Sequence, residues 1–312
     1  MDPGLIAAIL KKVRETWASA NDIEVTLEAN PTSVEADRFT AYRDAGVNRV
    51  SMGIQAMLDT DLRALGRLHT VAEAQAAFGI ARQTFDRVSF DLIYARQDQT
   101  LADWEQELHR ALDMSIDHLS LYQLTIEDGT AFGDRFAAGR LRGLPDENRA
   151  ADMFELTQTI TTERGFSAYE VSNHAGPGKE SRHNLIYWRS GDYVGIGPGA
   201  HGRLTLNGIR HATEAPKTPL VWLRQVEQSG NGEGLREPLM PDDHFAEAML
   251  MGLRLSEGLD IDRFSSLAPK VLFRNIKELT ELHMVEMFQG RLRTTPAGRP
   301  ILNAVLRKLL QN

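Results

Sequence analysis

Between residues 23 and 124 the chain alternates short apolar runs with amphipathic ones, and this alternation constrains its fold more than any other feature. Residues 23–28 (Ile-Glu-Val-Thr-Leu-Glu) change face at every position, as a strand does, and Asn30-Pro31 ends the run. Thr32 followed by Glu35 has the pattern of a capping box, opening a helix that Gly46 stops. Residues 48–55 read as the next strand, with helices expected over 61–65 and 71–83. Residues 87–94 predict a third strand with Val88, Phe90, Leu92 and Tyr94 on one face. Thr100 and Asp103 then cap a helix in which Leu101, Trp104, Leu108 and Leu112 recur at helical spacing, and residues 118–124 form the last strand. Four strand–helix units in this order give an α/β protein with a parallel sheet, closed as a barrel or doubly wound.

Folds of this class carry their chemistry at the carboxyl ends of the strands. Glu28, Gln55, Asp91 and Thr125 mark those ends, and Arg67 follows the break at Leu65-Gly66. Carboxylates there can accept from hydroxyl or ammonium groups, and an arginine can hold a carboxylate. The same side chains could instead satisfy backbone groups where the strands stop.

A second segment, residues 169–203, is too dense in polar, aromatic and glycine residues for an ordinary connector. It holds His174, His183 and His201, three of the nine histidines, beside Tyr187, Trp188 and Tyr193. Gly195, Gly197 and Gly199 lack the Gly-Lys-Ser/Thr ending of a phosphate loop and read as a tight turn. Histidine is an axial ligand for heme iron, and flat rings stack on a macrocycle. Read alone, His183 could equally hydrogen-bond a loop carbonyl, His174 and His201 could organise the loop, and His69 reads as structural.

The run His183-Asn184-x-x-Tyr187-Trp188 resembles the heme-chaperone (HemW) branch of the radical S-adenosylmethionine (SAM) coproporphyrinogen III oxidase-like family, and the likeness extends from about residue 23 to the C-terminus. The resemblance implies a radical SAM (β/α) barrel and a C-terminal winged-helix-like domain. It implies heme as cargo for acceptor proteins, with His183 on the iron and Asn184, Tyr187 and Trp188 beside it. It also maps Glu28, Gln55, Arg67, Asp91 and Thr125 onto the family's SAM contacts. The family holds a 4Fe-4S cluster in a Cys-x-x-x-Cys-x-x-Cys loop, yet this chain has no cysteine, and thiolates are the protein ligands of such clusters. In the family that loop and a Gly-Gly-Gly-Thr-Pro segment precede the point matching Met1-Asp2-Pro3. The expectation is therefore a partial barrel lacking its first strands, with no cluster and no SAM cleavage. An open sheet edge would invite self-association. Gln97 stands where relatives have proline and is expected to loosen its loop. Two alternatives are an oxygen-independent coproporphyrinogen III oxidase of porphyrin biosynthesis, which is a radical SAM oxidoreductase, and a winged-helix DNA-binding protein.

Composition narrows the rest. At 312 residues with 42% hydrophobic content there is material for one large core and a smaller domain. A formal charge of −8 argues against nucleic acid as the dedicated partner, because phosphate affinity comes from clustered Lys and Arg. No apolar run approaches the about 20 residues of a membrane span, no signal peptide is evident, and a cytoplasmic location is expected. Residues 126–165 read as polar helices, one opening at Pro145-Asp146 with Met153, Phe154, Leu156 and Ile160 inward. Residues 1–210 form the barrel with its heme-motif segment, and residues 211–242, rich in Pro, Gly and Glu, read as a linker. Residues 243–312 form helices, a hairpin turning at Gly290 and a final helix over 297–310, with Met249 and Met251 in the core. From Asp260 onward nine Lys/Arg face five Asp/Glu, a slight excess for a winged helix that reads DNA.

Overall fold

The computed structural model describes residues 1–33, 36–269 and 271–311. Glu35 lies outside them, so the Thr32 capping pattern does too. The chain divides into two compact units, Met1–Glu180 and Ser181–Asn312.

The first unit begins with α1 (Pro3–Thr16) and then runs β1 (Thr26–Ala29), α2 (Ala36–Ala45), β2 (Arg49–Gln55), α3 (Asp59–Ala64), α4 (Val71–Thr84), β3 (Arg87–Tyr94), α5 (Leu101–Met114) and β4 (His118–Gln123). It continues through α6 (Ala131–Ala137), α7 (Glu147–Glu163), β5 (Ser167–Ala168) and β6 (Asn173–Ala175). The sheet has the order β1-β2-β3-β4-β6-β5, with the first four strands parallel and the last two joined antiparallel. This is the expected α/β architecture. Strand β1 starts later than residue 23 because Asn48 takes the ladder's place there: its Oδ1 accepts from Val25 N at 2.8 Å and its Nδ2 donates to Ile23 O at 2.7 Å. Thr70 with Glu73 and Thr100 with Asp103 both close full capping boxes, which fixes where α4 and α5 begin.

One face of the sheet is dry. Val50, Met52 and Ile54 of β2, Val88, Phe90 and Leu92 of β3, and Leu119 and Leu121 of β4 are buried against Phe39, Phe78, Trp104 and Leu108 from the helices. Phe78 meets Phe90 edge-on at 5.2 Å, and Trp104 stacks on Tyr94 at 4.9 Å while donating to Thr157 Oγ1 at 2.8 Å. Each such side chain contributes about 1.5–3 kcal/mol by leaving water. The loops after β2 and β3 are tied down by Glu107 of α5, which is buried. Its Oε1 accepts from Met57 N at 2.6 Å, and its Oε2 accepts from Arg96 at 2.6 Å and from Gln99 at 3.1 Å. Gln97 does not loosen this region, since its amide donates to Arg142 O and so joins two loops.

The second unit comprises α8 (Arg182–Trp188), the hairpin β7 (His201–Leu206) and β8 (Ile209–Glu214), α9 (Pro219–Ser229), β9 (Leu235–Pro238), α10 (Pro241–Gly252), β10 (Leu259–Asp260), α11 (Leu272–Glu281), the hairpin β11 (Val285–Phe288) and β12 (Arg291–Thr294), and α12 (Leu302–Leu309). The stretch 211–242, expected to be a linker, is built into this unit: β9 pairs with β8, and α9 lies between them in sequence. Its prolines and glycine punctuate elements. Pro219 and Pro241 occupy first turns of helices, and Gly230 caps α9 in the left-handed region at φ 70°. The C-terminal part has the expected winged-helix-like order, with Phe245, Met249, Leu272, Leu292, Val305 and Leu309 in its core. Met251 is half-buried, and the last helix starts at Leu302, past Pro300.

Candidate functional site

The opposite face of the first unit's sheet is polar. Period-two alternation puts Arg49, Ser51, Gly53 and Gln55 of β2, Ser89 and Asp91 of β3, and His118 and Ser120 of β4 on that side. Register then lines them up: Glu28 opposite Ser51, Ser51 opposite Ser89, Asp91 opposite Ser120, and Ser120 opposite Asn173. Arg49 donates to Ser89 Oγ at 2.8 Å, and Ser89 donates to Ser51 Oγ at 3.0 Å. Ser120 donates to Asn173 Oδ1 at 2.8 Å, and Asn173 donates to Glu170 Oε1 at 2.6 Å.

Asp91 sits where these chains meet. Burial pushes its pKa up to about 6, with the Glu28 carboxylate adding to the rise, while the neighbouring Ser120 and Ser51 hydroxyls and the charge of Arg49 act the other way. Burial also lowers the Arg49 pKa and holds that of His118 well below the ordinary value, with the Arg49 and Arg87 charges acting the same way on His118. His118 Nε2 is 2.9 Å from the Tyr169 hydroxyl. Gln55 is turned inward by a shift in strand register after Met52 and by its own φ of 76°. Its amide covers Gly53, where a Cβ would come within 2.9 Å of Nε2.

The structure therefore brings Glu28, Gln55 and Asp91 onto three adjacent parallel strands, with Gln55 ending β2 but Asp91 in the middle of β3 instead of at its expected carboxyl end, because that strand continues to Tyr94. Arg67 is exposed on the loop after α3, and the buried His69 anchors that loop through Nε2 to Ile54 O at 3.0 Å, a structural role as expected. Thr125 is exposed, and its hydroxyl donates to Gln123 O at 3.3 Å, which is the strand-end role. Sequence reasoning did not single out Ser51, Ser120, Asn173 or Glu170. For Ser51 and Ser120 the signal was present, as polar residues at alternate positions of otherwise apolar strands.

Residues 169–203 do not form one loop. His174 is fully buried in β6, paired opposite Leu119 of β4. His201 is exposed at the start of β7, and Gly195 lies against its backbone so closely that a Cβ would meet His201 O at 2.3 Å. In the second unit, α8 carries the His-Asn-x-x-Tyr-Trp run behind the cap Ser181. Four-residue spacing stacks Tyr187 over the exposed His183. Their rings meet edge-on at 4.6 Å, and the Tyr187 hydroxyl is hydrogen-bonded to His183 Nε2. Tyr193 packs edge-on against Tyr187 at 4.6 Å. Trp188 faces elsewhere: Arg254 lies over its ring at 4.8 Å. Asn184 is half-buried, and its backbone N–H donates to Ser181 Oγ at 3.5 Å.

Residues 2–111 match the Radical SAM superfamily, and residues 239–301 match the HemN C-terminal domain. In fold the chain is similar to coproporphyrinogen III oxidase (HemN) from Escherichia coli, described as a radical SAM enzyme, with a TM-score of 0.78 at 21% identity over 99% of this chain and 74% of that one. The mixed sheet with its C-terminal domain thus has the radical SAM fold of the HemN type. It is 37% identical over 320 residues to the bovine mitochondrial radical S-adenosyl methionine domain-containing protein 1, covering 99% of this chain and 72% of that protein. To the heme chaperone HemW of Lactococcus lactis it is 32% identical over 98% of this chain and 81% of the other, and to that of Haemophilus influenzae 43% identical over 64% and 51%. The chain belongs to the radical SAM coproporphyrinogen III oxidase-like family, in its HemW heme-chaperone branch.

Proposed function

We propose that this chain is a heme carrier that binds its cargo at α8 and passes it to acceptor proteins. His183 is the iron ligand, and Asn184, Tyr187 and Trp188 support the site. The observation that carries the reading is the likeness to HemW along 98% of the chain, combined with an exposed imidazole whose other ring contacts are ordered by Tyr187.

Glu28, Gln55, Arg67, Asp91 and Thr125 are the residues of the first unit that would hold SAM. SAM supplies radical chemistry only beside a reducing 4Fe-4S cluster, whose irons take thiolate ligands. Without a cysteine the residues present do not fit that cluster. Strand β1 is the edge of its sheet, which favours pairing with another copy. No helix among the described residues is long and apolar enough to cross a membrane. Heme and its protein acceptors, in the cytoplasm, are the partners this reading requires.

The test is a hemin titration. The wild-type chain is expected to give a Soret band displaced from that of free hemin, and His183→Ala is expected to remove or move it. His211→Ala, a histidine whose Nδ1 is only 2.9 Å from Ile209 O on β8, serves as the control. Equal titrations for the two variants would remove the assignment.

A further inference from the structure

Trp188 and the C-terminal end of α8 line a cleft of about 240 Å³ inside the second unit. Three guanidiniums converge on it, from Arg189, Arg263 and Arg291, against two carboxylates, Glu257 and Asp260. This is a local cationic surplus in a chain whose formal charge is −8. Glu257 already engages two of these guanidiniums. Its carboxylate accepts from Arg189 Nε at 2.9 Å and Nη2 at 2.8 Å, and from Arg291 Nη2 at 3.0 Å. Its pKa is lowered, chiefly by the hydrogen bonds from Arg189. Arg263 is fixed by the carbonyls of Arg189 and Ser190 at 2.8 and 3.1 Å, and Arg291 by that of Gly258 at 2.7 Å, so the forks are ordered before any ligand arrives. The buried indole N–H of Trp188 meets no acceptor among the described residues.

We propose that this cleft binds a carboxylate of the tetrapyrrole, so that Arg263 and Arg291 anchor a propionate while the iron is held at His183. The inference rests on the heme reading above. It gives Trp188 a place at the carboxylate anchor instead of on the ring face.

The test varies the ligand first, which leaves the fold untouched. Hemin and hemin dimethyl ester are titrated into the full chain in the same cosolvent, followed at the Soret band. The free acid is expected to bind about tenfold more tightly, the effect of one charge-assisted hydrogen bond. Arg291→Gln and Arg263→Gln, each with far-ultraviolet circular dichroism to check folding, are expected to narrow that preference toward unity. Equal affinities in the wild-type chain, with His183→Ala still weakening both ligands, would overturn the propionate anchor and leave heme carriage standing. A preference for hemin undiminished in both arginine variants would also overturn it. If neither ligand binds, the heme reading falls, and the anchor falls with it.

Discussion

The polar face of the sheet and the short helix α8 are opposite solutions to presenting chemistry. On the sheet, Asp91 and its partners are held by strand register and by side chains that are themselves buried, such as Ser89, Ser120 and Asn173. On α8 none of the residues is buried, and the contacts that hold His183 and Tyr187 include one four residues apart on the same helix face. The first arrangement fixes geometry and perturbs titration. The second leaves the His183 side chain at the surface. Substitutions on the sheet side should therefore register mainly as stability, and substitutions on α8 mainly as binding.

The largest effect should come from Glu107→Ala. It removes one of the two carboxylates on the buried Arg96, leaving Asp61, and strips the acceptors from Met57 N and Gln99, so the cost approaches the about 3–5 kcal/mol of a broken buried pair. Urea unfolding measures it, with His183→Ala as the silent counterpart. A loss for Glu107→Ala no larger than for His183→Ala would erase the contrast between the two regions.

Asp91 gives the next effect, and its sign is fixed. Its folded pKa of about 6 lies above the ordinary 3.8, so ionisation weighs on the folded state. The stability associated with neutral Asp91 is complete below about pH 3.8 and is lost as pH rises through about 6. The gap is worth at most about 3 kcal/mol. Relative to Asp91→Asn, the wild-type chain should lose stability between about pH 4 and pH 7, read from urea midpoints across that range. Parallel curves for the two proteins would show that the polar face does not hold Asp91 as described.

The same contrast explains what could be read from sequence. The strand–helix series was legible because period-two strands and capping residues such as Thr70 and Thr100 act locally. Gln55 was legible because a strand end can be counted, whereas Asp91 lies in the middle of β3, which runs on to Tyr94. The partners of Asp91 were not legible as such: Ser51, Ser120 and Asn173 become neighbours only through register between strands far apart in sequence. Residues 169–175 read as part of a site because their polarity suggested exposure, yet β6 hides His174 completely and pairs with β4. The stretch 211–242 misled through composition, since proline opens a helix as readily as it ends one. On α8 the motif gave the residues but not their directions, which depend on a helix only seven residues long.

The smallest predicted effect decides how Tyr187 serves that helix. Read from sequence, its ring is a wall for the porphyrin, and Tyr187→Ala should weaken hemin binding by about 0.5–1.5 kcal/mol without moving the spectrum. The hydrogen bond to His183 Nε2 gives it a second task, fixing the tautomer and orientation of the proposed iron ligand. Tyr187→Phe separates the two, because it keeps the ring and removes only the hydroxyl. If the hydroxyl positions His183, Tyr187→Phe should weaken hemin binding by about 0.5–1.5 kcal/mol and displace the Soret band, by freeing the imidazole to tilt. An affinity and spectrum matching wild type would reduce Tyr187 to a wall. The ordered imidazole of α8 would then have to come from helix geometry and the edge-on ring contact alone.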